Sequence, residues 1–284
     1  MFSLSHPDAD VCVTEPNLSP EEALGRTTHL CIAAHQDDIE IMAYHGIVEC
    51  YGRSDRWFSG VVVTNGAGSP RSGIYANHTD AEMQAVRRRE QRKAAQVGDY
   101  SIQLQLAHPS SAVKDPRNQA VRSDLTTILA LAKAEVVYLH QPADKHDTHV
   151  AVLAHALAAL RALPAAAKPK RVLGCEVWRD LDWLLDSGKV ALDVSPHPNL
   201  AAALLEVFDS QITGGKRYDL ATAGRRLANA TYRASHATDQ SPSLTWALDL
   251  TPLISDPARS VRDYTHQLIE RMRHDVDERL AKFG

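Results

Sequence analysis

No two of the four cysteines, Cys12, Cys31, Cys50 and Cys175, stand in a C-x-x-C pair, and two of them sit in or beside apolar segments. Reduced, buried, structural thiols are expected. Aromatic residues make up only 6% of the chain, which leaves little material for a surface that stacks nucleic-acid bases. A net charge of −4 argues against a nucleic-acid or acidic-membrane partner. The first 25 residues have neither a basic start nor an apolar centre, and no run of about 18 apolar residues occurs anywhere. A soluble, cytoplasmic protein is expected. There is no internal repeat, low-complexity tract or evident interdomain linker. With 44% hydrophobic residues, 284 positions can bury a large core. The expected organisation is an N-terminal arm over 1–26 and a single domain over 27–284 that includes C-terminal helical additions.

The order of elements decides the fold class. In the arm, Ser19-Pro20-Glu21-Glu22 is a helix start, with Ser19 as cap and Pro20 in the first helical position. The apolar run 29–34 reads as a buried parallel strand, followed by a helix over 39–51, a strand over 57–64 and a turn-rich loop over 65–70. A long helix over 79–97 stops at Gly98. The alternation IQLQL over 102–106 suggests a strand with one solvated face. A helix over 119–133 and a strand over 135–139 follow; beyond 163 the pattern supports strands near 171–177 and 191–194 and helices near 200–211, 218–235 and 257–281. Strand and helix in alternation imply right-handed crossovers. The fold class is α/β, a Rossmann-like three-layer arrangement with a mostly parallel sheet and its site at the carboxyl ends of the strands.

Two polar clusters sit where such a site would form. The segment AAHQDDIE (33–40) places His35, Asp37 and Asp38 directly after the first strand, and HQPADKHDTHVAV, after the strand 135–139, contributes His146 and His149. If both strands are parallel in one sheet, the two loops leave the same edge and converge. His35, Asp38 and His149 then offer two imidazoles and a carboxylate, the ligand set of a catalytic zinc site with one open position. Asp37 is left beside the metal, placed to take a proton from a metal-bound water. Asp147 is expected to cap a helix from about 148 to 162, with His149 in its first turn facing the sheet. Glu40 and His45, on the helix after the first cluster, are close enough to support the ligands.

The first cluster resembles the A-H-P-D-D motif of the PIG-L or LmbE-like zinc-dependent deacetylases, with Gln36 where the family has Pro, and His146-Asp147-Thr148-His149 resembles that family's H-x-x-H motif. RRREQRKAAQVG (87–98) resembles its Arg-x-x-Glu helix and FDSQI (208–212) its Ser-Gln segment, so the likeness runs from about residue 28 to about 235. The resemblance implies that His35, Asp38 and His149 bind Zn2+ or another divalent metal, that Asp37 is the general base, and that His146 stabilises the oxyanion or protonates the leaving amine. It places Arg87 at a substrate-contacting position. It implies hydrolysis of an N-acetylated amino sugar or conjugate, such as an N-acetylglucosamine derivative, and a homo-oligomer of open size. Thr148 stands where many members have Asp, and Asp144-Lys145 where some have Tyr.

Other readings stay open on the residues alone. An amidase of a different N-acyl conjugate would use the same ligands. A metal-dependent phosphoesterase is compatible with zinc but usually needs a denser ligand set. A nucleotide- or sugar-binding module would need a glycine-rich turn after the first strand, where two carboxylates stand instead and would repel phosphate.

Overall fold

A computed structural model describes residues 3–284 of the chain. Its strands are β1 (Asp10–Val13), β2 (His29–Ala33), β3 (Phe58–Thr64), β4 (Ile102–His108), β5 (Val136–His140), β6 (Arg171–Cys175), β7 (Lys189–Asp193) and β8 (Leu244–Asp249). They form one sheet in the order β1-β4-β3-β2-β5-β6-β8-β7. The run β4 to β6 is parallel throughout; β1 and β8 run antiparallel to their neighbours. This is the mostly parallel, Rossmann-like α/β fold that the alternation of elements implies.

Burial on both faces explains the unbroken apolar runs in the central strands. Leu30, Ile32 and Ala34 point into one core with Leu125, Leu129, Val152 and Leu157, whereas Cys31 and Ala33 point into the other with Ile39, Tyr138, Leu204 and Phe208. Cys31, Cys50 and Cys175 are buried and all four cysteines are free. No helix among the described residues is long and apolar enough to cross a membrane.

Several elements differ from their sequence pattern. The segment 39–51 is two helices, Asp38–Met42 and Tyr44–Cys50, broken at Ala43. The segment 102–106 lies in a strand with no solvated face: Gln103 and Gln105 are buried. Their amide nitrogens are bonded inside, Gln103 donating to the Leu104 carbonyl and Gln105 to Asp10 and the Arg88 carbonyl, and Gln105 Oε1 accepts from Gln36. Alternation therefore reflects a polar core layer here, since a buried amide is tolerated once it is hydrogen-bonded.

The N-terminal segment contributes edge strand β1 and is tied in further along, because Ser5 donates from both its backbone N–H and its hydroxyl to Asp124. Its helix Pro20–Gly25 begins as its pattern predicts, with Ser19 and Glu22 forming a reciprocal cap. The helix Asp80–Val97 starts in the same way from Thr79 and Glu82 and ends at Gly98. Strand β8 has no counterpart in the sequence reading. Its apolar run, Trp246 to Leu248 with Leu244, is too short to tell strand from helix, and pairing with β6 and β7 is what defines it.

The helix Tyr44–Cys50 is pressed hard against the sheet at Gly46. A Cβ there would stand 2.6 Å from the Tyr138 ring and 3.0 Å from that of Phe58. Gly46→Ala should therefore force the Tyr138 ring aside and lower stability by about 1–3 kcal/mol, read as a reduced denaturation midpoint in urea. An unchanged midpoint would mean that this helix is not seated so closely.

Candidate active site

The two motif loops leave the sheet side by side. β2 and β5 are hydrogen-bonded neighbours, with β3 and β4 continuing on one side and β6 on the other, so strand order reverses between them. A doubly wound sheet opens a crevice at that reversal. A cavity of about 740 Å³ lies at this place, lined by His35, Asp37, Asp38, Arg87, His146 and Trp178 among others. That volume accommodates a ligand of sugar-conjugate size.

His35 and Asp38 line it, and the fully buried His149 meets them there. Asp38 Oδ2 lies 3.3 Å from His35 Nδ1 and 3.2 Å from His149 Nε2, and the two nitrogens are 3.2 Å apart. A zinc ion about 2.0–2.1 Å from each of three tetrahedral corners requires corner separations of about 3.3–3.4 Å. The donor triangle thus has the size and chemistry of a zinc site. His146 brings a nitrogen within 4.8 Å of donors on His35 and His149, and His140 one within 4.8 Å of donors on Asp38 and His149. Both have a nitrogen engaged elsewhere: His140 Nε2 accepts the Ala34 N–H, and His146 Nδ1 accepts the Thr148 N–H.

The second loop is built differently from its sequence reading at one point. The helix Asp147–Ala162 is capped by His146, and Asp147 is its first residue. His146 has extended backbone and its ring does the capping, which fixes the ring proton on Nε2 in the neutral form. The His146 ring stacks on His149 at 4.6 Å and on Trp178 at 6.4 Å. Burial, then His149 and His35, hold its pKa below the ordinary histidine value.

His149 is fully buried and has a carboxylate at each nitrogen. Asp38 faces Nε2, and Asp144 Oδ2 stands 3.4 Å from Nδ1. Asp144 is itself fixed by the His146 and Trp178 backbone N–H groups. A carboxylate this near raises the basicity of the ring through its charge. Burial opposes charge on His149, but Asp38 and Asp144 outweigh it and push its pKa up to about 9. His140 stacks on the other face of the ring at 3.9 Å, and burial holds it well below the usual range.

Asp37 sits in a left-handed backbone conformation, φ 88°, which costs a non-glycine residue about 1–3 kcal/mol. The helix Asp80–Val97 holds it there. Arg87 donates to Asp37 Oδ2 at 2.9 Å and to the Gln36 carbonyl, and Gln91 Oε1 accepts the Asp37 N–H. Gln91 and Tyr100 in turn both donate to buried Glu40, so the residue expected to support the ligands supports Asp37 instead. His45 bonds Tyr138. Arg87 is 1% exposed, and Glu90 and Ser210 complete its surroundings, which brings the Arg-x-x-Glu and Ser-Gln segments together. Gly66, at φ 75°, passes so close that a Cβ would meet Gln36 Oε1 at 2.7 Å. Burial raises the Asp37 carboxyl to about 6 against the pull of Arg87, with Asp38 adding to the rise. The same burial acts on Asp38, but His149 and His35 hold that carboxyl well below the usual range.

Five residues that contribute here had no assigned role in the sequence reading. His140 and Asp144 follow the strand 135–139, Trp178 follows β6, Gln91 lies one helical turn past Arg87, and Tyr218 opens the helix Tyr218–Thr231 and lines the cavity. Position just past a strand's carboxyl end was the available signal for the first three. No comparable signal marks Tyr218.

Comparison with known proteins agrees with this architecture. The N,N'-diacetylchitobiose deacetylase of Pyrococcus horikoshii superposes with a TM-score of 0.61 at 16% identity, covering 81% of this chain and 86% of that one. The conserved protein TT1542 of Thermus thermophilus gives 0.59 at 18% identity, covering 82% and 99%. The 4-carboxy-2-hydroxymuconate hydratase of Pseudomonas putida KT2440 gives 0.58 at 17%, covering 79% and 96%. The chain has the LmbE-like fold of these proteins. Residues 30–160 match the family described as PIG-L, GlcNAc-PI de-N-acetylase. No curated protein sequence matches the chain.

Metal uptake should displace a proton. With its pKa near 9, His149 of the metal-free protein is protonated at about pH 7.5, whereas a metal takes only the neutral ring. Zinc binding should therefore release about one proton per site and tighten as pH rises toward 9. Titration calorimetry in buffers of different ionisation enthalpy reads this directly; a binding heat independent of buffer would contradict it.

Proposed function

We propose that the protein is a metal-dependent hydrolase that removes the acetyl group from an N-acetylated amino sugar or sugar conjugate. The observation that carries this reading is the donor triangle of His35, Asp38 and His149 with Asp37 alongside it. The PIG-L domain match and the likeness to a chitobiose deacetylase support the choice of amide hydrolysis. The hydratase neighbour shares the fold, so fold alone does not choose the reaction.

His35, Asp38 and His149 hold zinc or another divalent ion. Such an ion supplies Lewis acidity, drawing the pKa of a water toward about 7 and polarising a carbonyl. Asp37 accepts the proton of the attacking water. With a pKa near 6 it is ionised at neutral pH, yet more basic than an exposed aspartate. His146, neutral with its proton on Nε2, donates to the oxygen that becomes negative as the carbonyl carbon turns tetrahedral. The proton passed to Asp37 returns to the amide nitrogen, the C–N bond breaks, and acetate and a free amine leave. Arg87 keeps the Asp37 carboxylate aimed while lining the cavity.

Release of free amine from a panel of N-acetylated sugars tests the reading. Asp37→Ala should retain the metal and lose about 10²–10⁴-fold in turnover, the usual share of a general base. Amine release from no member of the panel, or near-normal turnover in Asp37→Ala, would overturn the substrate or the base respectively. A generic aryl phosphate in the same assay separates this reading from a phosphoesterase.

A further inference from the structure

The carboxylates of the cavity lie in its buried lining, whereas its further cations lie in the more exposed part. Among the described residues, its acidic lining is confined to Asp37, paired with Arg87, and Asp38, committed to His35 and His149. Four further cations line the same cavity: Lys114, Lys216, Arg217 and Arg225. Arg217 is answered by Asp219 at 2.6 Å. Lys114, Lys216 and Arg225 form no ion pair among the described residues. Glu176, whose oxygens accept from the Leu181 and Trp246 N–H groups and from Asn229, lies within electrostatic range of Arg225 and offsets part of its charge. On a chain whose net charge is −4, three cations without an ion pair in one cavity are a local exception.

Two of them share a wall. Lys216 Nζ lies 5.2 Å from the centre of the Trp178 ring, and Arg225 Nη1 donates to the carbonyl of the preceding residue, Val177. Trp178 also meets Tyr218 edge-on at 6.0 Å and stacks toward His146 at 6.4 Å. The indole therefore bridges the proposed catalytic histidine and the two cations. An aromatic face beside cations suits a ring that carries an anionic substituent. Low-dielectric cavity walls strengthen the attraction.

We infer that the substrate carries an anionic oxygen group, a phosphate or a carboxylate, which Lys216 and Arg225 bind beside Trp178 while the N-acetyl group reaches the metal centre. Lys114, on another lining segment, adds to the positive field at the mouth. The inference rests on the deacetylase reading for the identity of the acyl group, but not for the presence of the anion site.

The test compares N-acetylglucosamine with N-acetylglucosamine 1-phosphate and N-acetylmuramic acid on the zinc-loaded protein, measuring both dissociation constants and amine release. At least one anionic ligand should bind about tenfold or more tightly than the neutral sugar; the two charged arms tell phosphate from carboxylate. Lys216→Met, which keeps an apolar stem over Trp178, and Arg225→Met should each shrink that preference, and Arg225→Lys should keep most of it. Zinc content reports whether each variant is folded at its metal centre. Equal affinity for all three ligands, binding of none, or a preference that survives both methionine variants would overturn the anion site. Amine release from all three without preference would leave the deacetylase reading standing alone. A preference in binding with no amine from any ligand would leave the anion site and remove the deacetylase reading.

Discussion

Pairing of β2 with β5 is the constraint on which the rest depends. The register His29 to Val136 and Cys31 to Tyr138 brings the ends of two strands about a hundred residues apart in sequence to one edge. From there His35 and Asp38 on one loop and His149 on the other close a donor triangle 3.2–3.3 Å on each side. Two imidazole nitrogens and a carboxylate oxygen this close are uncomfortable without a proton or a cation between them. A proton held by His149 answers that need; a metal ion engaging all three donors would answer it too.

Two neighbouring carboxylates are driven to opposite behaviour by the groups around them. Asp38 is surrounded by imidazoles, which keep it ionised. Asp37, one residue away, is buried beside a single guanidinium, and its affinity for a proton rises. Such divergence within a pair is how a site separates a charge-stabilising role from a proton-accepting one. The helix Asp80–Val97 enforces the difference, since Arg87 and Gln91, one turn apart on one face, grip the side chain and the backbone of Asp37. The strain of Asp37 is thus sustained by buried hydrogen bonds from an element distant in sequence.

Much of this was legible in the chain. The parallel core strands show as apolar runs because both their faces are covered, and the two polar clusters stand out because they interrupt that pattern at strand ends. His35, Asp37, Asp38, His146 and Arg87 all line one crevice, and His149 lies buried against His35 and Asp38. What stayed hidden depended on partners rather than on local pattern. Gln103 and Gln105 read as solvent-facing because a buried, internally bonded amide has the same alternation as an exposed one. β8 is a strand only by virtue of its neighbours, and Asp147 looked like the better cap until the His146 ring took that place. Arg87 among three arginines gave no sign that it alone would be buried on two carboxylates.

The central claim is that these three side chains form one metal centre. Elemental analysis of the purified protein beside His35→Ala and Asp38→Ala tests it most directly. The account predicts about one divalent ion per chain in the wild type, with the ion lost in both variants while the fold is kept. A wild type that takes up no metal even after incubation with zinc, or variants that hold it as well as the wild type does, would contradict it.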